Sequence, residues 1–472
     1  MDIVKRIIKT TKFVVSTQVR FQKPINPVSA RELKKEIQEM GPTYIKIGQF
    51  VSSRRDIFHP DVIDALKELQ SNVDTEPQDV IPIIRERLAD KLSKSSMRLV
   101  KLTRKPIAQA SIGQVHVGLV ELSSMKSQQF QRKMLAFKVR RPRVREDMEM
   151  DVAILRFILN SIFFKNMENI QETKELLEDF ERWLLDESDY LNEVSNWKIL
   201  EKSLRENECI ILPRVYEDLS SSDVITMEYL PSRSIEEAKK TMDDDERKEL
   251  AAKLMDSFVR QLVVHGVMHG DPHEGNLGIS SESSTNNVDK IKINNVDKIE
   301  NVKNIKINNV DKIEIVLYDM GNVIRVDLET RKLLKRLLFE IVNDNLDDAL
   351  AIMKRISLFE IRDEIRTRQL LEKYVKYIKT VDVNVFASSS IEKDLEMKSN
   401  TKLPIKFSGT VFRIVRVFGI LEGICKRLDP TFSYEPIFSK YTSLVGSDAD
   451  YLTYKVLSDL RKIARMVLEF EN

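Results

Sequence analysis

Apolar residues in the first hundred positions of the chain recur with helical spacing. Ser29 can cap a helix that begins near Arg31 and ends at Gly41, and a second helix should cover residues 44–51. Residues 62–69 again place apolar side chains three and four positions apart, which is the spacing of one helical face. This part of the chain is therefore predicted to be helical.

The pattern changes near residue 98 to short apolar runs separated by polar turns. The strands predicted from these runs cover residues 99–102, 110–120, 134–139 and 224–230. The polar run over residues 123–131 is a candidate hairpin loop, and helical spacing returns over residues 144–204. A sheet flanked by helices is the expected result.

From Asp243 onward the chain is predicted to be mainly helical, with one alternating strand over residues 313–318. These patterns divide the chain into a helical N-terminal extension over residues 1–97, a mixed part over residues 98–230 and a mostly helical part over residues 231–472. The predicted fold class is α/β in the wider α+β sense.

A low-complexity tract over residues 280–313 stands apart. The sequence Asn-Asn-Val-Asp-Lys-Ile occurs at residues 286–291, 294–299 and 308–313. This repeat is too short and too polar to stack as a solenoid. We interpret it as an insertion that loops out of the fold, with a short extended hairpin as the alternative.

Composition narrows the class of protein. Of the 472 residues, 42% are hydrophobic and 32% are charged, as in soluble globular chains, and the net charge of +2 gives no argument for a nucleic-acid partner. Cys209 and Cys425 lack metal-ligand spacing, which indicates a reducing, intracellular compartment. No apolar run of about 18 residues predicts a transmembrane helix.

The first 23 residues are basic, with Asp2 as their single acidic residue. They fit a basic amphipathic helix lying on a membrane, an organellar transit peptide, or an ordinary first helix of the fold. The sequence therefore leaves the compartment unassigned, and both peripheral membrane contact and an organellar location stay open.

Two acidic motifs carry the candidate chemistry. His269-Gly270-Asp271 followed by Asn276 fits the His-x-Asp-x-x-x-x-Asn catalytic loop of kinases, in which the Asp orients the phosphate acceptor and the Asn holds magnesium. Farther on, a predicted strand ends at Asp319-Met320-Gly321, which is how kinases present their metal-binding Asp. Their order along the chain predicts a Mg²⁺ site made by Asn276 and Asp319, completed by nucleotide phosphates.

Three further segments are predicted to contact ATP or ADP. Lys138 in Leu-Ala-Phe-Lys-Val matches the strand lysine that neutralises α- and β-phosphate charge. The candidate phosphate-covering loop contains Ala108, Ala110 and Ser111 and lacks the Gly-x-Gly-x-x-Gly pattern of kinases, and the Cβ atoms of its alanines restrict how closely the backbone approaches phosphate. At the end of the strand over residues 224–230, the backbone of Met227, Glu228 and Tyr229 would bind adenine, with Met227 as the gatekeeper.

Taken together, these motifs resemble those of the UbiB-like, ADCK-type family of atypical kinases. The residues that carry the resemblance are Lys46-Ile47-Gly48-Gln49, the loop over residues 108–116, Glu187-Ser188-Asp189-Tyr190 with Glu193 and Asn196, the catalytic loop over residues 269–276, and Glu422-Gly423 with Leu428-Asp429-Pro430. The similarity runs from about residue 30 to about residue 435. Its most specific motif is the Lys-x-Gly-Gln segment, which ordinary kinases lack.

The resemblance implies a bilobal protein-kinase-like fold whose N-terminal extension packs over the site. Glu193 would pair with Lys138, and Glu187 with Asp189 would hold Lys46. It also implies ATPase or small-molecule kinase activity linked to isoprenoid-quinone lipid biosynthesis. Members occur in bacteria, mitochondria and plastids, often at membranes.

The chain departs from the family pattern at three positions. Gln109 stands where alanine is usual, Glu274 where proline is usual, and Met320 where phenylalanine is usual. None of these changes removes a charged or metal-binding group.

The predicted function is an atypical kinase or ATPase in which Asp271, Lys138, Glu193 and Lys46 serve catalysis, and Asn276 and Asp319 hold Mg²⁺ for ATP or ADP. The acceptor, whether small molecule, lipid, protein or water, stays open. A non-catalytic nucleotide-binding scaffold or switch is one alternative, which the alanine loop keeps open. An aminoglycoside-type phosphotransferase is another, against which the Lys-x-Gly-Gln segment argues.

Overall fold

A computed structural model describes most of the chain. The described residues are 3–21, 24–52, 58–70, 77–94, 97–110, 112–123, 130–161, 170–204, 209–281, 313–356, 358–379, 404–434, 436–437 and 440–441. Ser111 and nearly all of the predicted insertion over residues 280–313 lie outside them.

The described residues form helices and strands in the order given by the following bounds. The helices are α1 (Ile3–Phe21), α2 (Pro27–Met40), α3 (Pro42–Ser52), α4 (Pro60–Lys67), α5 (Ile81–Lys94), α6 (Val144–Asn160), α7 (Ile170–Ser188), α8 (Tyr190–Leu204), α9 (Ile235–Lys239), α10 (Asp244–Arg260), α11 (Leu328–Val342), α12 (Leu346–Met353), α13 (Glu364–Lys379) and α14 (Gly409–Leu428). The strands are β1 (Met97–Leu102), β2 (Ala108–Gln109), β3 (Gly113–Ser123), β4 (Phe130–Arg140), β5 (Ile210–Ile211), β6 (Val224–Glu228), β7 (Val267–His269), β8 (Leu277–Ser281), β9 (Ile313–Leu317), β10 (Val323–Arg325), β11 (Phe359–Ile361) and β12 (Ile405–Phe407).

The chain forms two compact units. Unit 1 comprises Met1–Ala238 and Asp271–Asn322, and unit 2 comprises Lys239–Gly270 and Val323–Asn472. The three-part division inferred from the sequence, with boundaries at residues 97 and 230, remains a prediction.

The helices α2, α3 and α4 of unit 1 share an apolar core that contains Leu33, Ile37, Tyr44 and Leu66. Gly48 allows this packing, because a Cβ at that position would lie 2.5 Å from Cδ1 of Leu69. The Leu69 and Ile37 side chains fill the space that a side chain at residue 48 would need, which explains why a glycine stands inside this helix, where it otherwise lowers stability.

Helix α2 begins earlier than predicted, because the predicted cap Ser29 is the third residue of the helix. Asn26 is the N-cap and accepts the N–H groups of Val28 and Ser29, while the Ser29 hydroxyl accepts the Asn26 N–H. Pro27 fixes the first helical φ angle, and the reciprocal bonds form a capping box. The predicted end is confirmed, since the helix stops at Met40 and Gly41 has φ 103°.

Polar groups on the inner face of helix α1 contact α3 and α6. The Arg6 guanidinium pairs with Asp151 of α6, and the Thr10 hydroxyl lies 2.8 Å from Tyr44 Oη. On its outer face, Val4, Ile8, Val15 and Val19 are 44–57% exposed. The basic segment is thus a helix of the fold that also presents an aliphatic stripe to solvent.

The main sheet of unit 1 is antiparallel, with strand order β1-β3-β4-β6 and with β2 paired to β3. Strands β3 and β4 pair along the whole of Gly113–Ser123 and Phe130–Arg140, so the predicted hairpin is confirmed. Helix α5 covers one face of this sheet, where Ile84 and Leu88 pack in the same core as Phe137. The long central ladder fixes the position of each side chain on β4.

A second, three-stranded sheet of unit 1 has the order β5-β9-β8. Strand β9 runs antiparallel to β8 with Leu277 opposite Leu317, and parallel to β5. Because β8 follows the predicted catalytic loop and β9 precedes Asp319, this pairing brings the two acidic motifs to the same end of the sheet.

Unit 2 is mainly helical. Helix α10 packs against α14, where the buried Cys425 thiol lies 3.4 Å from the Ala251 carbonyl, and β7 pairs with β10. Helices α11 and α12 contribute Leu333, Leu337 and Ile352 to a separate apolar cluster.

Cys209 and Cys425 are both free thiols. None of the described helices combines the length and the hydropathy needed to cross a membrane.

Candidate functional site

Lys138 lies near the end of the central strand β4, opposite Val115 of β3 and Ile225 of β6. Strand β2 extends this row, since Ala108 pairs with Val115. The hydrogen-bonded ladders on both sides of β4 hold the lysine backbone, so its side chain starts from a fixed point. That side chain is 12% exposed.

The Lys138 ammonium lies between two carboxylates. Nζ is 2.8 Å from both oxygens of Glu193 and 2.9 Å from Oδ2 of Asp319. Glu193 belongs to the first turn of α8 and is 4% exposed, whereas the Asp319 side chain is 36% exposed. The structure therefore joins three residues that the sequence places 55 and 181 positions apart.

The segment after β9 is held by helix α8. Oε1 of Glu193 accepts the Met320 N–H at 3.3 Å, and the Asn196 side-chain amide donates to the Met320 carbonyl at 3.1 Å. Asp319 itself accepts the Gly321 N–H through Oδ1 at 2.8 Å. Glu193 thus positions both the lysine and the backbone that carries Asp319.

Asn276 is fixed by its neighbours in the catalytic loop and by the strand pairing. Its side-chain N–H donates to the backbone carbonyl of Asp271 at 3.1 Å, and its backbone carbonyl accepts the Tyr318 N–H at 3.1 Å. The second bond links Asn276 to the residue before Asp319. Because the amide nitrogen is engaged with Asp271, the amide oxygen is the atom available to a cation.

Charges in this cluster act strongly on one another. Burial, followed by the Asp319 carboxylate, raises the pKa of Glu193 to about 7, while Lys138 opposes that shift. Burial also opposes the charged form of Lys138, but Asp319 and Glu193 outweigh it and hold the lysine pKa well above its ordinary value. The cluster has one cation for two carboxylates, which leaves it short of positive charge.

The residues predicted to bind adenine lie at the end of β6. Met227 is buried and opposite Ala136, while Glu228 is opposite Leu135. The Glu228 N–H donates to the Arg214 carbonyl at 2.8 Å, and the Tyr229 N–H donates to the Met134 carbonyl at 3.3 Å. Both amides are thus used within the protein, and the role of this segment in adenine binding stays a prediction.

The predicted phosphate-covering loop joins β2 to β3. Ala108 and Ala110 are exposed, and the Ala110 N–H donates to the Gly113 carbonyl at 2.9 Å. Ser111, which was also predicted to contact nucleotide, lies outside the described residues. Arg141, which follows β4, holds this loop by two hydrogen bonds. Its backbone N–H donates to the Ile112 carbonyl at 2.9 Å, and its guanidinium donates to the side-chain oxygen of Gln109 at 3.2 Å.

Lys46 of α3 lies against Trp183 of helix α7. It is 7% exposed, and Nζ lies 5.5 Å from the centre of the Trp183 ring, within the range of a cation–π contact. Asp189, expected from the family resemblance to hold Lys46, accepts the Leu191 N–H at the start of α8. The Glu187 side chain lies outside the described part, so that expected pairing stays a prediction.

Sequence reasoning assigned no role to Gly113 or Tyr190, although signals for both were present. Ala108, Ala110, Gly113 and Val115 have the spacing of Gly-x-Gly-x-x-Gly-x-Val, so Gly113 stands at the third glycine of a kinase loop. Tyr190 precedes Glu193 by three residues, which places both on the same side of α8. In the structure a Cβ on Gly113 would lie 2.3 Å from Tyr190 Oη.

The donor set fits magnesium better than a transition metal. Asp319 supplies a carboxylate and Asn276 an amide oxygen, and Mg²⁺ prefers such oxygen ligands with phosphates and water completing its shell. Among the described residues no group of three or more His, Cys, Asp or Glu side chains has a metal-binding arrangement. A cation here would therefore depend on the nucleotide for much of its coordination.

Comparison with known proteins matches this chain to a family. Residues 68–353, more than half of the chain, match the family model described as the ABC1 atypical kinase-like domain. The match includes Lys138, Glu193, Asp271, Asn276 and Asp319, and leaves Lys46 outside.

Two relatives illustrate the similarity. The chloroplastic ACTIVITY OF BC1 COMPLEX KINASE 7 of Arabidopsis thaliana is 26% identical over 467 residues, covering 93% of this chain and 60% of that protein. A probable protein kinase UbiB of Glaesserella parasuis is 30% identical over 273 residues, covering 57% of this chain and 48% of that protein. The chain spans about a third to two thirds of the length of the curated relatives it matches.

Among solved structures, the Mycobacterium tuberculosis Rv3197–erythromycin complex shares 17% sequence identity, with a TM-score of 0.49. The comparison covers 89% of this chain and 95% of that one. A likeness at this level carries no argument about function.

Proposed function

The chain belongs to the family of ABC1 atypical kinase-like domains, and from that premise we propose that it binds Mg-ATP and transfers or hydrolyses the γ-phosphate. The observation that carries the proposal is the meeting of Lys138, Glu193 and Asp319 within ion-pair distance. Asn276 is tied by backbone bonding to the residue beside Asp319. Lysine, helix glutamate, metal-binding Asp and Asn are the parts that kinase chemistry needs.

In the proposed mechanism each residue acts through charge and position. Lys138 neutralises phosphate charge, and Glu193 keeps the lysine directed into the site. Asp319 and Asn276 would hold magnesium, which supplies electrostatic stabilisation of the phosphates when bound. Asp271 orients the acceptor and takes its proton. Preorganised charge of this kind supplies most of the rate acceleration in phosphoryl transfer.

Cation binding would also resolve the charge imbalance at Asp319. In the structure Lys138 is shared by both carboxylates, so Asp319 has negative charge that the lysine does not fully neutralise. Asp319 is partly exposed beside the buried Glu193, and together with Asn276 it would hold a divalent cation. We expect nucleotide affinity to depend on magnesium for this reason.

The test compares wild type with Asp319→Asn and, as a matched control, with Asp64→Asn, which removes an exposed carboxylate on α4. Mg-dependent ATP turnover should fall by about 10³-fold in Asp319→Asn, since charge stabilisation of that order is lost, and stay unchanged in the control. ATP binding is followed in parallel by thermal shift.

Turnover by Asp319→Asn at the wild-type rate would refute the metal assignment. Stabilisation of wild type by nucleotide without turnover would favour the scaffold or switch alternative. Absence of nucleotide binding in a folded wild type would refute the proposal.

We propose an amphiphilic acceptor at a membrane surface, in line with the isoprenoid-quinone link that the family resemblance implies. Helix α1 supports membrane contact: Val4, Ile8, Val15 and Val19 form an exposed stripe, and α1 contains no acidic residue. Lys5, Lys9 and Lys12 follow the same helical spacing along one side of it. An aliphatic stripe beside lysines suits an anionic bilayer surface.

Vesicle co-sedimentation tests this contact. Wild type should bind vesicles that contain phosphatidylglycerol more tightly than phosphatidylcholine vesicles, and Ile8→Glu with Val15→Glu should abolish the difference. Val28→Glu is the matched control, because Val28 is equally exposed but lies on α2. Equal binding by all three proteins would exclude α1 as the contact.

A further inference from the structure

The hydroxyl group of Tyr190 is buried but makes no hydrogen bond within the described part of the chain. The residue begins α8 and is 1% exposed. Buried hydroxyl groups nearly always have a hydrogen-bond partner, because a hydroxyl that leaves water and gains no new hydrogen bond destabilises the folded state. A phenylalanine would fill the same ring volume without that cost.

The hydroxyl is aimed at the loop that precedes β3. A Cβ built on Gly113 would lie 2.3 Å from Oη, so the oxygen occupies space that any residue other than glycine would need. Gly113 stands at the third glycine position of the phosphate-covering pattern that begins at Ala108. The phenol thus reaches the backbone of the segment that covers phosphates in kinases.

The same ring lies beside the predicted phosphate-binding lysine. Lys138 Nζ is 5.3 Å from the centre of the Tyr190 ring. Glu193, one turn along α8, is engaged by Lys138 and by the Met320 N–H. Burial raises the pKa of Tyr190 well above its ordinary value; Lys138 opposes this shift, and the carboxylates of Glu193 and Asp319 add to it. The phenol therefore keeps its proton and can donate a hydrogen bond.

We propose that the Tyr190 hydroxyl donates a hydrogen bond to a phosphate oxygen of the nucleotide held by Lys138. This inference rests on the proposed function and adds a neutral donor to it. A phosphate oxygen is an acceptor with negative charge, and hydrogen bonds to charged acceptors are the stronger ones. The bond would pair the hydroxyl and fix the nucleotide under the loop at Gly113.

The test is Tyr190→Phe, with dissociation constants measured by calorimetry for ATP, ADP and adenosine in the presence of magnesium. ATP and ADP should bind about tenfold more weakly than to wild type, as expected for the loss of one hydrogen bond to a charged group. Adenosine, which has no phosphate, should bind equally to both proteins. The melting temperature without nucleotide should not fall, because the lost hydroxyl is unpaired.

Tyr44→Phe is the matched control. Tyr44 is as deeply buried, but its hydroxyl is paired with Thr10 at 2.8 Å. We expect this variant to melt at a lower temperature and to bind ATP as wild type does. The two variants remove the same atom, so opposite effects on stability and nucleotide binding separate a ligand contact from a structural one.

Unchanged ATP affinity in Tyr190→Phe would overturn the inference while leaving the proposed function intact. An equal loss for adenosine would also overturn it, since the residue would then act through the fold. Should wild type bind neither ATP nor ADP, the proposed function and the inference would both fail.

Discussion

Two groups of charged side chains in unit 1 have their charges balanced differently. Arg6 donates to both carboxylate oxygens of Asp151 and, through its remaining nitrogen, to the Met40 carbonyl at 2.9 Å. Asp151 is completely buried, and Arg6 is 7% exposed. In the other group Lys138 is shared by Glu193 and Asp319, and Asp319 remains open to solvent.

The difference indicates what each group does. In the first group one guanidinium neutralises one carboxylate, and the two side chains are buried against each other, so we call it the closed pair. It connects α1 to α6. One ammonium with two carboxylates leaves an excess of negative charge beside an accessible oxygen. Such a site is stabilised by an added cation, which is the property expected of a magnesium-nucleotide site.

The largest effect on stability is expected at the closed pair. Asp151→Asn leaves the buried Arg6 without its counter-ion, which should lower the free energy of unfolding by about 3–5 kcal/mol. Urea denaturation measures this change, and ATP affinity of the folded variant should match wild type. A loss below about 1 kcal/mol would show that the pair is not buried in solution.

A pH dependence of stability is expected at the group of Lys138, Glu193 and Asp319. The folded pKa of Glu193 is about 7, above its ordinary 4.5, so its stabilising effect is complete below about pH 4.5 and is lost as pH rises through 7. Glu193→Gln, which cannot ionise, should therefore gain stability relative to wild type between pH 5 and pH 8, by about 1–3 kcal/mol.

Denaturation of both proteins by urea across this range measures that gain. Asp151→Asn serves as the reference, because its loss relative to wild type should stay constant with pH. A constant difference for Glu193→Gln as well would show that Glu193 is ionised throughout.

The smallest effect is expected from Asp319→Asn in the absence of nucleotide. Removing one of two competing carboxylates leaves Lys138 with Glu193 alone, so the free energy of unfolding should stay constant or rise by about 1 kcal/mol. This sign is opposite to that for Asp151→Asn, although both changes neutralise a buried or partly buried Asp. A loss of several kcal/mol in both would remove the distinction between the two groups.

Much of this arrangement was predictable because the residues lie in local patterns. Lys138 lies near the end of a continuous apolar run, and Asp319 follows an alternating one, so the predicted strands place both residues near strand ends. The helix start at Asn26 was missed because Ser29, three residues later, is also a good capping residue, and only Pro27 favours the earlier start.

The pairing of Lys138 with Glu193 came from family resemblance, since no spacing rule joins a strand to a helix 55 residues later.

By itself the sequence determined the types of element, the strand ends that carry Lys138 and Asp319, and the order of the kinase-like motifs, because side-chain periodicity and turn residues act over a few positions. Only the tertiary structure decided which charges share a partner. It paired Arg6 with Asp151, placed Lys138 between two carboxylates, and placed the Tyr190 hydroxyl against Gly113. Burial and electrostatic energy depend on distances between residues far apart in the chain, and those distances exist only once the sheet and helices have packed.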